Sequence, residues 1–139
     1  MPTGSCVAQR PEAMDAVPTI LLIDDEEALL RLMHLYLDRM GYKVFASGTA
    51  DAALSILSDE KLHVDLAIID LSLLPSRDVL IEIGDRYPSL RVLVCSGFPF
   101  DVSVLPERLH SRFASLQKPF LPDMLSESLE ELLRRNPAA

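Results

Sequence analysis

Tryptophan is absent, and only two cysteines, Cys6 and Cys95, occur in 139 residues. Two thiols make no disulfide framework, and their use is consistent with a reducing compartment. Basic residues are also scarce. Thirteen Lys and Arg stand against 21 Asp and Glu, for a formal charge of −8 and a pI near 4.7. A surface this acidic repels phosphate backbones and anionic lipid, which argues against nucleic acid or a membrane surface as partner. It suits a cation site or a basic protein partner. The 5 Gly and 10 Pro are scattered, so collagen-like and low-complexity readings fail. No apolar run approaches the ~18 residues of a membrane span. The opening MPTGSCVAQRPEAMDAV lacks the basic start and apolar centre of a signal peptide. What is present is 49% hydrophobic sequence, enough for one domain with a real core.

Residues 1–17 have no period and read as a flexible tail. The ordered pattern runs over 18–136, with 137–139 a short C-terminal tail. Thr19 to Ile23 is a short apolar run, the mark of a strand buried on both faces, and it stops at Asp24-Asp25-Glu26-Glu27. Leu29, Leu32, Met33, Tyr36 and Met40 then recur at helical spacing, and Gly41 ends that helix. Tyr42 to Ala46 is a second strand. Ser47 is placed to cap a helix over about Thr49–Ser58. Val64 to Ile69 is a third strand, ending at Asp70, and a helix follows to about Arg86. Leu90 to Cys95 and Phe113 to Leu116 are the fourth and fifth strands. Pro122 opens the last helix, with Met124, Leu125, Leu129, Leu132 and Leu133 facing inward. The helix before strand five is doubtful, because an interior Pro106 would break it; a short helix starting at Pro106 after an irregular 99–105 fits better. Alternating apolar strands and helices predict a doubly wound α/β fold with a parallel sheet. Right-handed crossovers put all strand carboxyl ends on one edge, where such sheets bind ligands.

That edge collects chemistry from four segments. Strand one ends at Asp24-Asp25, strand three at Asp70, strand four at Ser96 and strand five at Lys118. Crowded carboxylates repel, and a divalent cation relieves them. Mg²⁺ takes one or two carboxylates plus phosphate oxygens and keeps several waters. A lysine can hold a phosphoryl oxygen, a serine hydroxyl can donate to it, and a carboxylate can itself be the nucleophile. Each piece alone has an ordinary explanation as a turn or helix terminus. Their joint appearance at four strand ends does not. His34, His63 and His110 have no partner at metal-ligand spacing, and Cys95 reads as a buried, inert thiol.

TILLIDDEE, IIDLSL, VLVCSG and LQKPF together resemble a two-component response-regulator receiver domain over about residues 17–135. The segments VLVCSG and LQKPF are most similar to receivers attached to hybrid histidine kinases. The resemblance implies a flavodoxin-like five-stranded sheet in order 2-1-3-4-5. It implies Asp70 as phosphoacceptor, Lys118 as the phosphate-binding lysine and Ser96 as the switch hydroxyl. Asp24, Asp25, Asp70 and the backbone carbonyl of Ser72 would hold Mg²⁺. The implied partners are a histidine kinase or histidine phosphotransfer protein and a downstream protein in trans, since only NPAA follows Arg135. The implied location is cytoplasmic, and the role is that of a phosphoacceptor rather than a turnover enzyme.

The chain departs from the family in two places. Leu74 and Asp78 replace the usual proline and glycine after the phosphoacceptor, with Pro75 one position late, which predicts a contracted loop before the third helix. Ser115 stands where the family carries an aromatic that follows the switch hydroxyl, and the nearest ring on that sheet face is Phe113. These departures keep two alternatives open. One is a degenerate receiver that binds a partner without phosphorylation. The other is a small Mg²⁺-dependent aspartyl-phosphate phosphotransferase, for which Ser72 is the wrong residue two places after the nucleophile.

Overall fold

A computed structural model describes residues 17–135. Residues 1–16 and 136–139 lie outside the described residues, and with them the tails expected at 1–17 and 137–139, Val17 excepted. Five strands form one parallel sheet: β1 (Thr19–Ile23), β2 (Lys43–Ser47), β3 (Leu66–Asp70), β4 (Arg91–Ser96) and β5 (Phe113–Gln117). Their order is β2-β1-β3-β4-β5. The helices are α1 (Glu27–Arg39), α2 (Ala50–Ser58), α3 (Asp78–Arg86) and α4 (Pro122–Arg134).

The sheet is covered on both faces, which is why its three inner strands are continuous apolar runs. Alternate residues along each strand point to opposite sides. Leu21, Ile23, Ala67, Ile69, Val92, Val94 and Phe113 pack against α2 and α3, through Ala53, Leu57, Leu80 and Ile83. Ile20, Leu22, Ile68, Leu93, Cys95 and Leu116 pack against α1 and α4, through Met33, Leu37, Leu125, Leu129 and Leu132. The edge strands β2 and β5 are only partly covered. Gly41 takes φ 97 just past α1, a left-handed stop that a side chain resists.

Several details differ from expectation. Thr49, not Ser47, caps α2: its Oγ1 accepts the Ala52 N–H at 3.2 Å, while Ser47 Oγ accepts the Thr49 N–H at 3.3 Å. Thr49 is the residue directly before the first helical position, where a cap oxygen reaches the free N–H groups. Leu32 and Met124 face solvent, at 62% and 42% exposure. Each lies about 100° round its helix from the neighbour, Met33 or Leu125, that takes the core position.

No α-helix forms between β4 and β5. Two single 3-10 turns, Val102–Val104 and Glu107–Leu109, stand there instead. Pro106 separates them with extended backbone, φ −56 and ψ 143. A proline lacks the N–H that a continuous helix would need at this point. The second turn is bolted to α3. Leu109 is fully buried, and a Cβ built on Gly84 would sit 2.8 Å from its Cδ2. The Arg112 guanidinium donates to the carbonyls of Gly84 (2.8 Å), Leu90 (2.9 Å) and Tyr87 (3.1 Å). The residue four places after Gly84 is Pro88, so the last turn of α3 has no backbone donor for the Gly84 carbonyl, and Arg112 supplies one. Burial lowers the Arg112 pKa, against the opposing charge of Asp85.

Candidate functional site

The carboxyl ends of the strands meet as expected. The β1–β3 register pairs Ile23 with Ile69, so the following residues, Asp24 and Asp70, come side by side. The β4–β5 register pairs Ser96 with Gln117, which sets Lys118 next to them. Backbone hydrogen bonds fix these ends: Lys118 N–H donates to Ser96 O at 2.8 Å, and Asp24 N–H to Ser47 O at 3.1 Å.

Lys118 Nζ lies between two buried carboxylates, 2.8 Å from Asp24 Oδ2 and 3.2 Å from Asp70 Oδ2. Asp24 and Asp70 are 4% and 6% exposed, so these are charge-assisted contacts in a poorly hydrated place. Burial works against the Lys118 charge, but the hydrogen bonds and charges of Asp24 and Asp70 outweigh it and hold the ammonium above its ordinary pKa. The second oxygens are also occupied. Asp24 Oδ1 accepts the Glu26 N–H at 2.9 Å, and Asp70 Oδ1 accepts both the Ser72 N–H at 3.0 Å and the Ser72 Oγ–H at 2.9 Å. Asp25 is exposed at the rim. One ligand oxygen from each of Asp24, Asp25 and Asp70 lies within 4.8 Å of the others. Three hard oxygen donors at this separation, one already facing water, match a small divalent cation that keeps part of its hydration shell.

Ser96 is buried, and its Oγ accepts the Phe98 N–H at 3.0 Å. Cys95 lies opposite Asp70 in the β3–β4 register. Burial pushes its thiol up to about 12, opposed by Lys118 and reinforced by Asp24 and Asp70, so the inert reading of this cysteine fits its surroundings. Sequence reasoning missed two features here. The Ser72 hydroxyl bonds the Asp70 carboxylate directly, for which a serine two residues on was the available signal. Phe98 projects from the edge at 79% exposure, and nothing in the pattern distinguished it from a loop residue.

Comparison with known proteins gives one consistent answer. The family model for the response regulator receiver domain matches residues 20–130. Among curated relatives, the regulatory protein VanR of Enterococcus faecium is 30% identical over 118 residues, 84% of this chain and 50% of VanR. The sensor kinase CckA of Brucella abortus is 27% identical over 120 residues, 84% of this chain but 13% of that kinase. This chain thus spans half or less of these relatives. Among solved structures, a CheY-like receiver domain protein from Methanospirillum hungatei superposes with a TM-score of 0.72 at 25% identity, covering 85% of this chain and 94% of that one. The signal receiver domain of an HD domain-containing protein from Pseudomonas fluorescens gives 0.72 at 25%, covering 85% and 95%. With the strand order of a flavodoxin-like sheet and a family match across most of its length, the chain belongs to the response regulator receiver domain family of two-component signalling.

Proposed function

We propose that the chain is a phosphoacceptor module, taking a phosphoryl group on Asp70 from a histidine kinase or histidine phosphotransfer protein. The single observation that supports this best is Lys118 Nζ held jointly by Asp24 and Asp70, a cation placed between two buried carboxylates at the mouth of the site. In the proposed step an oxygen of the Asp70 carboxylate attacks phosphorus in line. The bond from phosphorus to the donor imidazole nitrogen breaks, and its electron pair returns to the ring, which takes up a proton. Asp24, Asp25, Asp70 and the Ser72 backbone carbonyl would hold Mg²⁺, which neutralises charge on the transferring group when bound. Ser72 N–H and Oγ orient the Asp70 carboxylate beforehand. Lys118 exchanges its contact with Asp70 for a phosphoryl oxygen, and Ser96 Oγ–H donates to another. The aspartyl phosphate is the product, not a stage in turning over an outside substrate, and it acts on a protein partner in trans. Among the described residues no helix is long and apolar enough to cross a membrane, and we place the module in the cytoplasm.

Intact-mass measurement after incubation with Mg²⁺ and acetyl phosphate tests the proposal. The wild-type chain gains one phosphoryl group and Asp70→Asn gains none. Equal gains in both would reject Asp70 as acceptor. No gain in either would favour the phosphorylation-independent binding module.

A further inference from the structure

We propose that Phe98 is the side chain through which this receiver reports the state of Asp70, by folding from solvent into a cleft that the absent ring at Ser115 leaves open. The cleft holds about 370 Å³ and lies over the β4–β5 edge of the sheet. Val94, Phe100, Val102, Ser115 and Leu116 line it, and Phe98 stands at its mouth. Ser96, Asp101 and Gln117 also border the cleft, so a phenyl ring entering it would lie against the apolar side made by Val94, Phe100 and Val102 and lose part of its exposed surface. Phe98 is 79% exposed, which leaves that burial unrealised.

The other nearby rings are already committed. Phe113 is 1% exposed and packs under Gly84, so it does not substitute for the missing aromatic. Phe100 rests against the core on the same face, and Phe120 packs on the opposite face of the sheet. Phe98 is linked directly to the proposed switch hydroxyl: its N–H donates to Ser96 Oγ at 3.0 Å. Turning Ser96 Oγ toward a phosphoryl oxygen on Asp70 weakens that bond. Space beside it is open, since a Cβ at Gly97 would meet nothing within 4 Å, and no helical turn begins before Val102. The ring then exchanges solvent for the cleft, and the surface presented to a partner changes by one large aromatic.

This inference rests on Asp70 being the phosphoacceptor, and the test separates the two. The chain has no tryptophan, so Phe98→Trp introduces the sole indole. Its emission and its quenching by acrylamide are recorded with Mg²⁺ before and after acetyl phosphate, and the mass of the same sample is measured. The expected result is a phosphoryl mass gain accompanied by a blue shift and loss of quenching. Adding Ser115→Phe to Phe98→Trp should fill the cleft and remove the optical change while the mass gain persists. A second measurement needs no substitution: phosphorylation of the wild type should bring nuclear Overhauser contacts from the Phe98 ring to the methyls of Val94 or Val102. A mass gain with unchanged emission, quenching and ring contacts overturns the role of Phe98 and leaves Asp70 as acceptor. No mass gain overturns both.

Discussion

Leu109, in the second 3-10 turn after β4, has no exposed surface, whereas Val104, in the first, is 52% exposed. The two turns are equal in length and only a few residues apart, yet they are held differently. Residues 105–112 reach across to α3. Leu109 lies under Gly84, Arg112 takes three carbonyls of α3 and the loop after it, and Arg108 forms a two-pronged ion pair with Asp85 at 2.8 and 2.9 Å. The hydrogen bonds of residues 98–104, by contrast, stay local: Phe98 to Ser96 Oγ, Ser103 N–H to Asp101 Oδ1, Val104 N–H to Asp101 O. A contact that spans elements resists opening with the whole fold, and a local one opens alone. The lesson is that losing a helix here does not loosen the whole connection. The half that adjoins Ser96 is the one expected to open first.

The strongest way to break this contrast is to cut the locked half. Arg112→Ala leaves the buried Gly84 and Leu90 carbonyls without their guanidinium donor, and a buried unsatisfied group costs ~1–3 kcal/mol. Leu109→Ala opens a cavity under α3, where large-to-small changes cost ~2–5 kcal/mol. Urea unfolding should therefore show a loss of about 3 kcal/mol for either variant. Val104→Ala, at an exposed site in the other half, should stay within ~0.5 kcal/mol of wild type. Similar losses in Val104→Ala and Leu109→Ala would mean the two halves are held alike.

The same physics decides what was legible in the sequence. β1, β3 and β4 are covered on both faces, so their apolar runs mark them plainly, and the polar residue ending each run marks the sheet edge. That makes the convergence of Asp24, Asp70, Ser96 and Lys118 readable from the sequence. Pro106 likewise announced that no full helix precedes β5. Arg112 was not readable. An arginine before a strand looks like a solvent residue, and only the pairing of Gly84 with Pro88 hints at a carbonyl lacking its donor. Nothing local says that the donor comes from 28 residues away. Leu32 and Met124 misled for the opposite reason. Apolar residues beside true core positions add to a helical pattern without being buried, and much of any protein surface is apolar. Phe98 belongs to the same class, since its meaning depends on an empty space beside Ser115.

At the sheet edge the contrast is sharpened by removing the cation that holds the site shut. Lys118 Nζ occupies one oxygen each of Asp24 and Asp70. Lys118→Met keeps the aliphatic stem and deletes the charge, so a divalent ion no longer competes with it for the same carboxylates. Mg²⁺ should bind a few-fold more tightly, an effect of ~1 kcal/mol or less. Because a ligand that binds only the native state stabilises it, the melting temperature of the variant should rise more with added Mg²⁺ than that of wild type. Weaker Mg²⁺ binding in Lys118→Met would show that the lysine supports the ion instead of competing with it.

The smallest effect is expected at Arg108 and Asp85, the outermost link of the locked half. Both side chains are about half exposed, at 59% and 47%, so water and salt screen the pair despite its good geometry. The hydrogen bond from Arg108 is the main reason the Asp85 carboxyl titrates below its ordinary 3.8, with burial opposing and the charges of Arg108 and Arg112 assisting. A carboxylate whose pKa is depressed by folding adds stability that is complete above its unfolded pKa. That stability disappears as pH falls through the folded pKa. Asp85→Asn should therefore lower the urea midpoint slightly at neutral pH, and the gap to wild type should close below pH 3.8. Raising the salt at neutral pH should shrink the same gap. If Leu109 and Arg112 do the locking, Asp85→Asn leaves the second turn in place throughout, and amide exchange of residues 107–112 stays as slow as in wild type. Fast exchange there in Asp85→Asn at neutral pH would transfer the locking role to the surface pair.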